Sequence, residues 1–400
     1  MSEPDITPSP AAKHRPTGAT AGSDAVLKSF TFLFFMTMSI IVSVFPIYFD
    51  YKGYSKLQIG MLYSIGPTVG IAANLFWGVL SDRLQTIKKV MITVLAGQLI
   101  ALLIMFQVDT FTVMFIVMTA YYFFQTPMNG LIDSQTLLVA SKTGKSYASY
   151  RIWGSLGFSF ASLFFGMALS GLGIQSVTFL TLGTVIISFG LAFLLKDSRA
   201  GARKADFSGV RSILFSKQLL WFFLLILLLA IPAKANDGFL ALYMIGLGAN
   251  ETIIGYSWMI SALSEIPVMF LLSKYGHRFK ELPLLGFAGL IYGIRFLLMA
   301  SVQNPYWIIA IQAMHCLSFG IFFITAIRYI TQLVPDEFRA SGQAMFNVVW
   351  GGMAGLAGGA IGGQLFDLWG GDTVYLFASI TAFIASAGFF LTHISRKFSV

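Results

Sequence analysis

Seven ionisable side chains, Asp133, Arg151, Lys234, Asp237, Glu265, Arg295 and His315, stand inside or at the ends of long apolar runs. Carboxylates and imidazole take and release protons, and arginine and lysine donate to acceptors, so such a set suits proton exchange and the binding of polar solutes. The placement is costly. A charge near the centre of a bilayer costs roughly 2.5–3.5 kcal/mol on insertion scales, so each needs a partner or a watery cavity. Lys234 and Asp237, in AIPAKANDG, are three residues apart and share one helix face. Pro232 and Gly238 bracket them and are expected to loosen the helix there. Glu265 precedes Pro267, whose missing amide frees a carbonyl and is expected to leave that helix irregular.

The elements that position these groups follow from composition. Of 400 residues, 56% are hydrophobic and 11% charged, where a soluble protein carries roughly 25% charged; mean hydropathy is +0.78. Apolar runs of about 20 residues predict twelve membrane helices, over 27–49, 57–80, 89–107, 111–138, 147–169, 176–195, 219–245, 252–273, 283–301, 305–329, 343–366 and 373–394. The fold class is all-α and polytopic. Residues 1–24, rich in Ser, Pro, Thr and Ala, read as a disordered tail rather than a signal peptide. Cys316 is the single cysteine, which excludes an internal disulfide or a thiolate metal cluster.

Lysine and arginine resist translocation and so report topology. Apart from Lys52 and Lys56 on one side and Lys234 and Arg295 within the membrane, every Lys and Arg falls on the side of the N-terminus. That side is expected to be cytoplasmic, with both termini there and the chain in the inner (plasma) membrane. The net charge of +9 then reflects topology and attraction to anionic membrane lipids, and nucleic acid is not expected as a partner. At about 1.5 Å rise per residue, Glu265, Arg295 and His315 fall near mid-depth. Lys234 and Asp237 lie a little outside it. Asp133 and Arg151 fall toward the cytoplasmic ends of helices four and five, where they can pair.

The long loop 196–218 divides the helices six and six, giving an N-terminal half over 25–195 and a C-terminal half over 219–400. LQIG ending at Gly60, with Arg83 downstream, is echoed by TIIG ending at Gly255, with Arg278 downstream, both at an offset of 195 residues. In GVLSDRLQTIKK, residues Gly78, Asp82, Arg83, Lys88 and Lys89 resemble the loop motif between helices two and three of the major facilitator superfamily. Gly78 is expected to admit a close neighbouring helix. The second copy, SKYGHRFK, has His277 where Asp82 would align. SYRIWGSLGF, headed by Arg151, resembles the fifth helix of the phenylpropionate permease family, near the lactose-permease-like proton symporters. The resemblance implies twelve helices in two pseudo-symmetric halves. It implies that Asp133 and Arg151 help bind substrate and that Glu265, Arg295 and His315 couple protons. Those symporters carry a carboxylate one turn beyond the histidine, where this chain has Ser318, so coupling falls to Glu265 or Asp237.

Plainer roles stand beside these. Asp133 with Arg151 also reads as a structural salt bridge or inner gate, and Lys234 with Asp237 as a self-neutralising pair. Trp153, two residues after Arg151, reads as a ring-stacking platform or as packing. Gly351, Gly355, Gly359 and Gly363, at a spacing of four, predict a smooth face for close helix packing. No HExxH or CxxC is present, and the nearest phosphate-loop match, Gly144, Lys145 and Ser146, has Val139 in place of the first glycine. An enzyme or ATP-driven pump is therefore not expected, nor any cofactor or metal. The reading is a monomeric secondary transporter that takes up a small organic solute, such as an aromatic carboxylate, sugar or nucleoside, with protons by alternating access, or, with the same parts working in the reverse direction, a proton antiporter that exports drugs or metabolites.

Overall fold

The computed structural model describes residues 18–197, 216–335 and 339–397. Within them twelve helices are long and apolar enough to cross a membrane. They are α1 Asp24–Ser43, α2 Lys56–Leu84, α3 Ile87–Met105, α4 Phe111–Thr143, α5 Ser149–Leu172, α6 Ser176–Leu194, α7 Lys217–Gly246, α8 Glu251–Leu272, α9 Glu281–Ser301, α10 Tyr306–Leu333, α11 Ser341–Trp369 and α12 Gly371–Ser395. Helices suit lipid because they satisfy every backbone amide and carbonyl within one segment. Among the described residues there is no strand.

Local chemistry sets the boundaries. Ser55 and Gln58 form a capping box at the start of α2. The side chains of Thr86, Ser216 and Asn250 cap α3, α7 and α8. Helical structure before α1 begins at Gly18, so residues 18–23 are helical where the sequence suggests tail; residues 1–17 and most of the linker, 198–215, lie outside the described residues. The first run does not continue straight to residue 49. It ends at Ser43, and a second short helix, Phe45–Tyr51, starts with Pro46 in its first turn.

The apolar cores largely follow the two halves. One unites α7 to α12 around Phe222, Ile226, Phe296, Phe322 and Phe389, and two others occupy the N-terminal half. The halves meet along two glycine seams. A Cβ on Gly60 of α2 would sit 3.1 Å from Gly363 Cα on α11, and a Cβ on Gly255 of α8 would sit 3.2 Å from Leu163 Cα on α5. Gly60 and Gly255 are the two glycines of the sequence repeat, so the repeat marks equivalent crossings. Gly355 and Gly359 join the α2 seam against Pro67 and Ser64, whereas a Cβ on Gly351 would meet nothing within 4 Å. The expected four-glycine face thus packs through three. Both seams lie at the end where α2 and α8 begin and α5 and α11 finish. Toward the other end, Leu75, Phe76 and Val79 of α2 are exposed.

Candidate functional site

The buried polar centre is built by α8, α9 and α10. His315 Nε2 lies 3.0 Å from Glu265 Oε1, and His315 Nδ1 lies 2.9 Å from Arg295 Nη1. Arg295 Nη2 donates to Gln312 Oε1. Arg295 is 1% exposed and has no carboxylate in direct contact among the described residues. The arginine can only donate, so His315 Nδ1 must accept. The imidazole is then neutral with its proton on Nε2, which it donates to Glu265. Glu265 and Arg295 are opposite charges joined through one neutral ring. The His315 ring stacks on Phe319 at 5.1 Å, which fixes its plane.

Beside this chain is a cavity of about 110 Å³ lined by Lys234, Asp237, Tyr292, Arg295, His315 and Trp350, among others. Lys234 Nζ lies 2.9 Å from Asp237 Oδ2 and 5.6 Å from the Trp350 ring centre. Asn236, on the same stretch of α7, accepts from Tyr375 Oη at 3.2 Å. The structure thus brings Lys234, Asp237, Glu265, Arg295 and His315 together, with three helices, α7 to α9, contributing the charges and α10 the imidazole that links two of them.

The loosened backbone is elsewhere than expected. α7 runs unbroken through Pro232 and α8 through Pro267. The irregular stretches are π-helical, at Cys316–Gly320 directly after His315 and at Val348–Met353 around Trp350. A widened turn shifts the side chains that follow it, and such turns recur at functional sites. The Ser318 hydroxyl bonds back to the carbonyls of Met314 and His315 at 3.2 Å, so it serves the helix rather than the charge chain.

In the N-terminal half the structure corrects the expected pairing. Asp133 and Arg151 form no ion pair. Asp133 accepts from Tyr147 Oη at 2.7 Å, and the Arg151 guanidinium lies 4.3 Å over the Phe35 ring of α1. Trp153 is 38% exposed and does not line the cavity; the tryptophan that does is Trp350 of α11. Gly78 makes no close helix approach, since a Cβ there would meet nothing within 4 Å. Asp82 and Arg83 are exposed. The loop after them is instead tied by Asp197, which accepts from Thr86 Oγ1 at 2.7 Å and from the Lys88 amide at 3.2 Å.

Sequence reasoning missed Gln312, Trp350, Tyr147 and Asp197. Gln312 had a legible signal: a polar residue one helical turn before His315 in an otherwise apolar run. Trp350 had none, because its neighbours are brought to it only by the packing of α7, α10 and α11.

Two six-helix halves joined by paired seams, with a charged cavity at their helices' mid-length, define a solute transporter of the major facilitator type. The chain belongs to the MFS_1 like family, whose family model matches residues 25–377. It is 28% identical over 368 residues to the maltose permease of Geobacillus stearothermophilus, covering 91% of this chain and 93% of that protein. It is 24% identical over 324 residues to the probable 3-phenylpropionic acid transporter of Escherichia coli (strain K12), covering 80% and 84%. The crystal structure of nucleoside transporter NupG superposes with a TM-score of 0.80 at 19% identity, over 92% of this chain and 98% of that one. The protein is a multi-pass membrane transporter of the major facilitator superfamily.

Proposed function

We propose that this chain takes up a small polar solute together with protons, by alternating access between its two halves. The observation that carries this reading is the Glu265–His315–Arg295 chain, an acid and a base linked through an imidazole beside a cavity within the membrane-spanning helices. Ionisable groups within membrane-spanning helices are costly, pair with one another, and mark substrate and proton paths. The positive-inside pattern assigns the basic end of the bundle to the cytoplasm. The glycine seams are then at the outer end, and this arrangement corresponds to a state closed outward.

The solute is a sugar, a nucleoside or an aromatic carboxylate, classes that the relatives' names span. Trp350 offers it a ring face, Lys234 and Asp237 offer donors and acceptors, and Arg151 and Asp133 are assigned to the same path from the N-terminal half. The test is uptake of labelled maltose, uridine and 3-phenylpropionate into proteoliposomes with an imposed pH gradient, inside alkaline. Accumulation of one of them that collapses with the gradient is expected. Uptake indifferent to the gradient would remove the proton from the mechanism.

A further inference from the structure

At the end of the bundle where the loops are basic, α7, α9, α10 and α12 leave between them a cavity of about 590 Å³. Its shaft is apolar, lined by Trp221 and Leu225 of α7, Leu282 of α9 and Leu391 of α12. Ring contacts fix the back wall, where Phe222 meets Tyr329 at 4.8 Å and Phe389 at 6.1 Å. The floor is closed by tight packing of α7 on α12, since a Cβ on Gly388 would collide with the Leu225 side chain. One turn nearer the basic end, Trp221 Nε1 donates to Thr392 Oγ1 at 2.9 Å and ties the same two helices. The site is therefore built before anything enters it. Its volume is that of a ligand pocket, roughly 300–1,000 Å³.

The rim faces lipid. Lys217, Leu220, Trp221 and Leu224 share one face of α7 by their spacing and are exposed, as are Leu391 and Ile394 of α12, so the cavity walls pass directly into the outer surface of the membrane helices. Lys217 is the charged residue of the lining and has no ion-pair partner among the described residues. Glu281, next to Leu282 of the lining, is already held by Arg328 at 2.5 Å and by Gln332 at 2.8 Å. An apolar shaft thus ends at an uncompensated cation, at the depth where α7 begins and α12 finishes.

We infer that this cavity binds one membrane phospholipid whose headgroup carries a single net negative charge, of the phosphatidylglycerol type, with an acyl chain along Trp221 and Leu225 and the phosphate at Lys217. A soluble anion has no use for the apolar shaft, and an uncharged amphiphile has none for Lys217. Basic pockets between membrane helices take anionic headgroups in this way, and a lysine can lay its stem on the apolar wall while its ammonium stays at headgroup depth. All four helices belong to the C-terminal half, so no movement between the halves has to open the site. The inference is independent of the solute and of the proton.

Trp221 is a built-in reporter. The full-length protein is placed in phosphatidylcholine nanodiscs that hold a small fraction of lipid with brominated acyl chains, which quench tryptophan on contact, and Trp221→Phe subtracts the signal of the other tryptophans. Brominated phosphatidylglycerol is expected to quench the Trp221 component at a fraction about fivefold lower than brominated phosphatidylcholine, the preference that roughly 1 kcal/mol for one lysine near an anionic headgroup gives. Lys217→Arg should keep this preference and Lys217→Gln should lose it. Both variants should unfold at the wild-type temperature, because Lys217 is exposed and unpaired. Equal quenching by the two lipids, or a preference that survives Lys217→Gln, overturns the site. A preference still present in Trp221→Phe puts the lipid elsewhere and overturns it too. Loss of the preference on adding soluble glycerol phosphate would assign Lys217 to a free phosphate and overturn the lipid.

Discussion

Lys234 and Asp237 close an ion pair at 2.9 Å across one turn of α7, and α11 meets that pair with the Trp350 ring rather than with a counter-charge. The two charges neutralise each other before any neighbouring helix is involved. Either one alone would face a confined cavity without its partner.

Removing one member is expected to cost about 1–3 kcal/mol, toward the lower end because both side chains keep some exposure to the cavity. Lys234→Ala and Asp237→Ala should each lower the unfolding temperature and stop uptake. The double variant should recover the unfolding temperature. If uptake returns with it, the pair is neutralisation alone; a folded but inactive double variant assigns one member to the solute. Thermal unfolding and uptake on the same preparations decide this.

Gly359 sets the separation of α11 from α2, with a Cβ there reaching Ser64 N at 3.2 Å. Gly359→Leu should hold the seam open and shift the population toward the state in which the halves part at that end. A Ser64→Cys reporter, in a Cys316→Ser background, should be protected from a membrane-impermeant maleimide with glycine at 359 and labelled with leucine there. Equal labelling in the two would show that the seam does not govern access.

Gln312 accepts one of the few hydrogen bonds made by Arg295. Gln312→Leu removes an acceptor from a buried cation and should cost about 1.5–3 kcal/mol, whereas Gln312→Glu should restore the bond and tighten it. Unfolding curves of the two variants should move in opposite directions from each other. Equal losses would show that the site responds to shape and not to the acceptor.

At the end where the seams lie, Lys52 is paired with Asp109 across the loops before α2 and α4. The hydrogen bond to Asp109, first among its causes, raises the Lys52 pKa above its ordinary value. A raised folded-state value means that the contribution is complete below the unfolded lysine pKa, about 10.4, and is lost as pH climbs through the folded value. Asp109→Asn should therefore cost no more than about 1 kcal/mol at neutral pH, since the pair is at the surface. The difference from wild type should fade only in strongly alkaline buffer, and should shrink with added salt.

The number of helices, their order and the two-half architecture were all legible in the chain, because apolar length and the distribution of lysine and arginine are physical requirements of a bilayer. So were the charges of the C-terminal site, since a charge in an apolar run is conspicuous wherever the run finally packs. The repeat glycines Gly60 and Gly255 were legible as a repeat, but their service as the two seams was not. Partnership, by contrast, belongs to the packing. Asp133 and Arg151 make no direct pair: both approach Tyr147, whose hydroxyl donates to Asp133, and the Arg151 guanidinium lies over the Phe35 ring, because side-chain direction on each helix, and not proximity along the chain, selects the contact. The same holds for Arg295. Its place beside His315 Nδ1 follows from how α9 and α10 cross, and that crossing fixes the tautomer of the ring, with the Nε2 proton donated to Glu265.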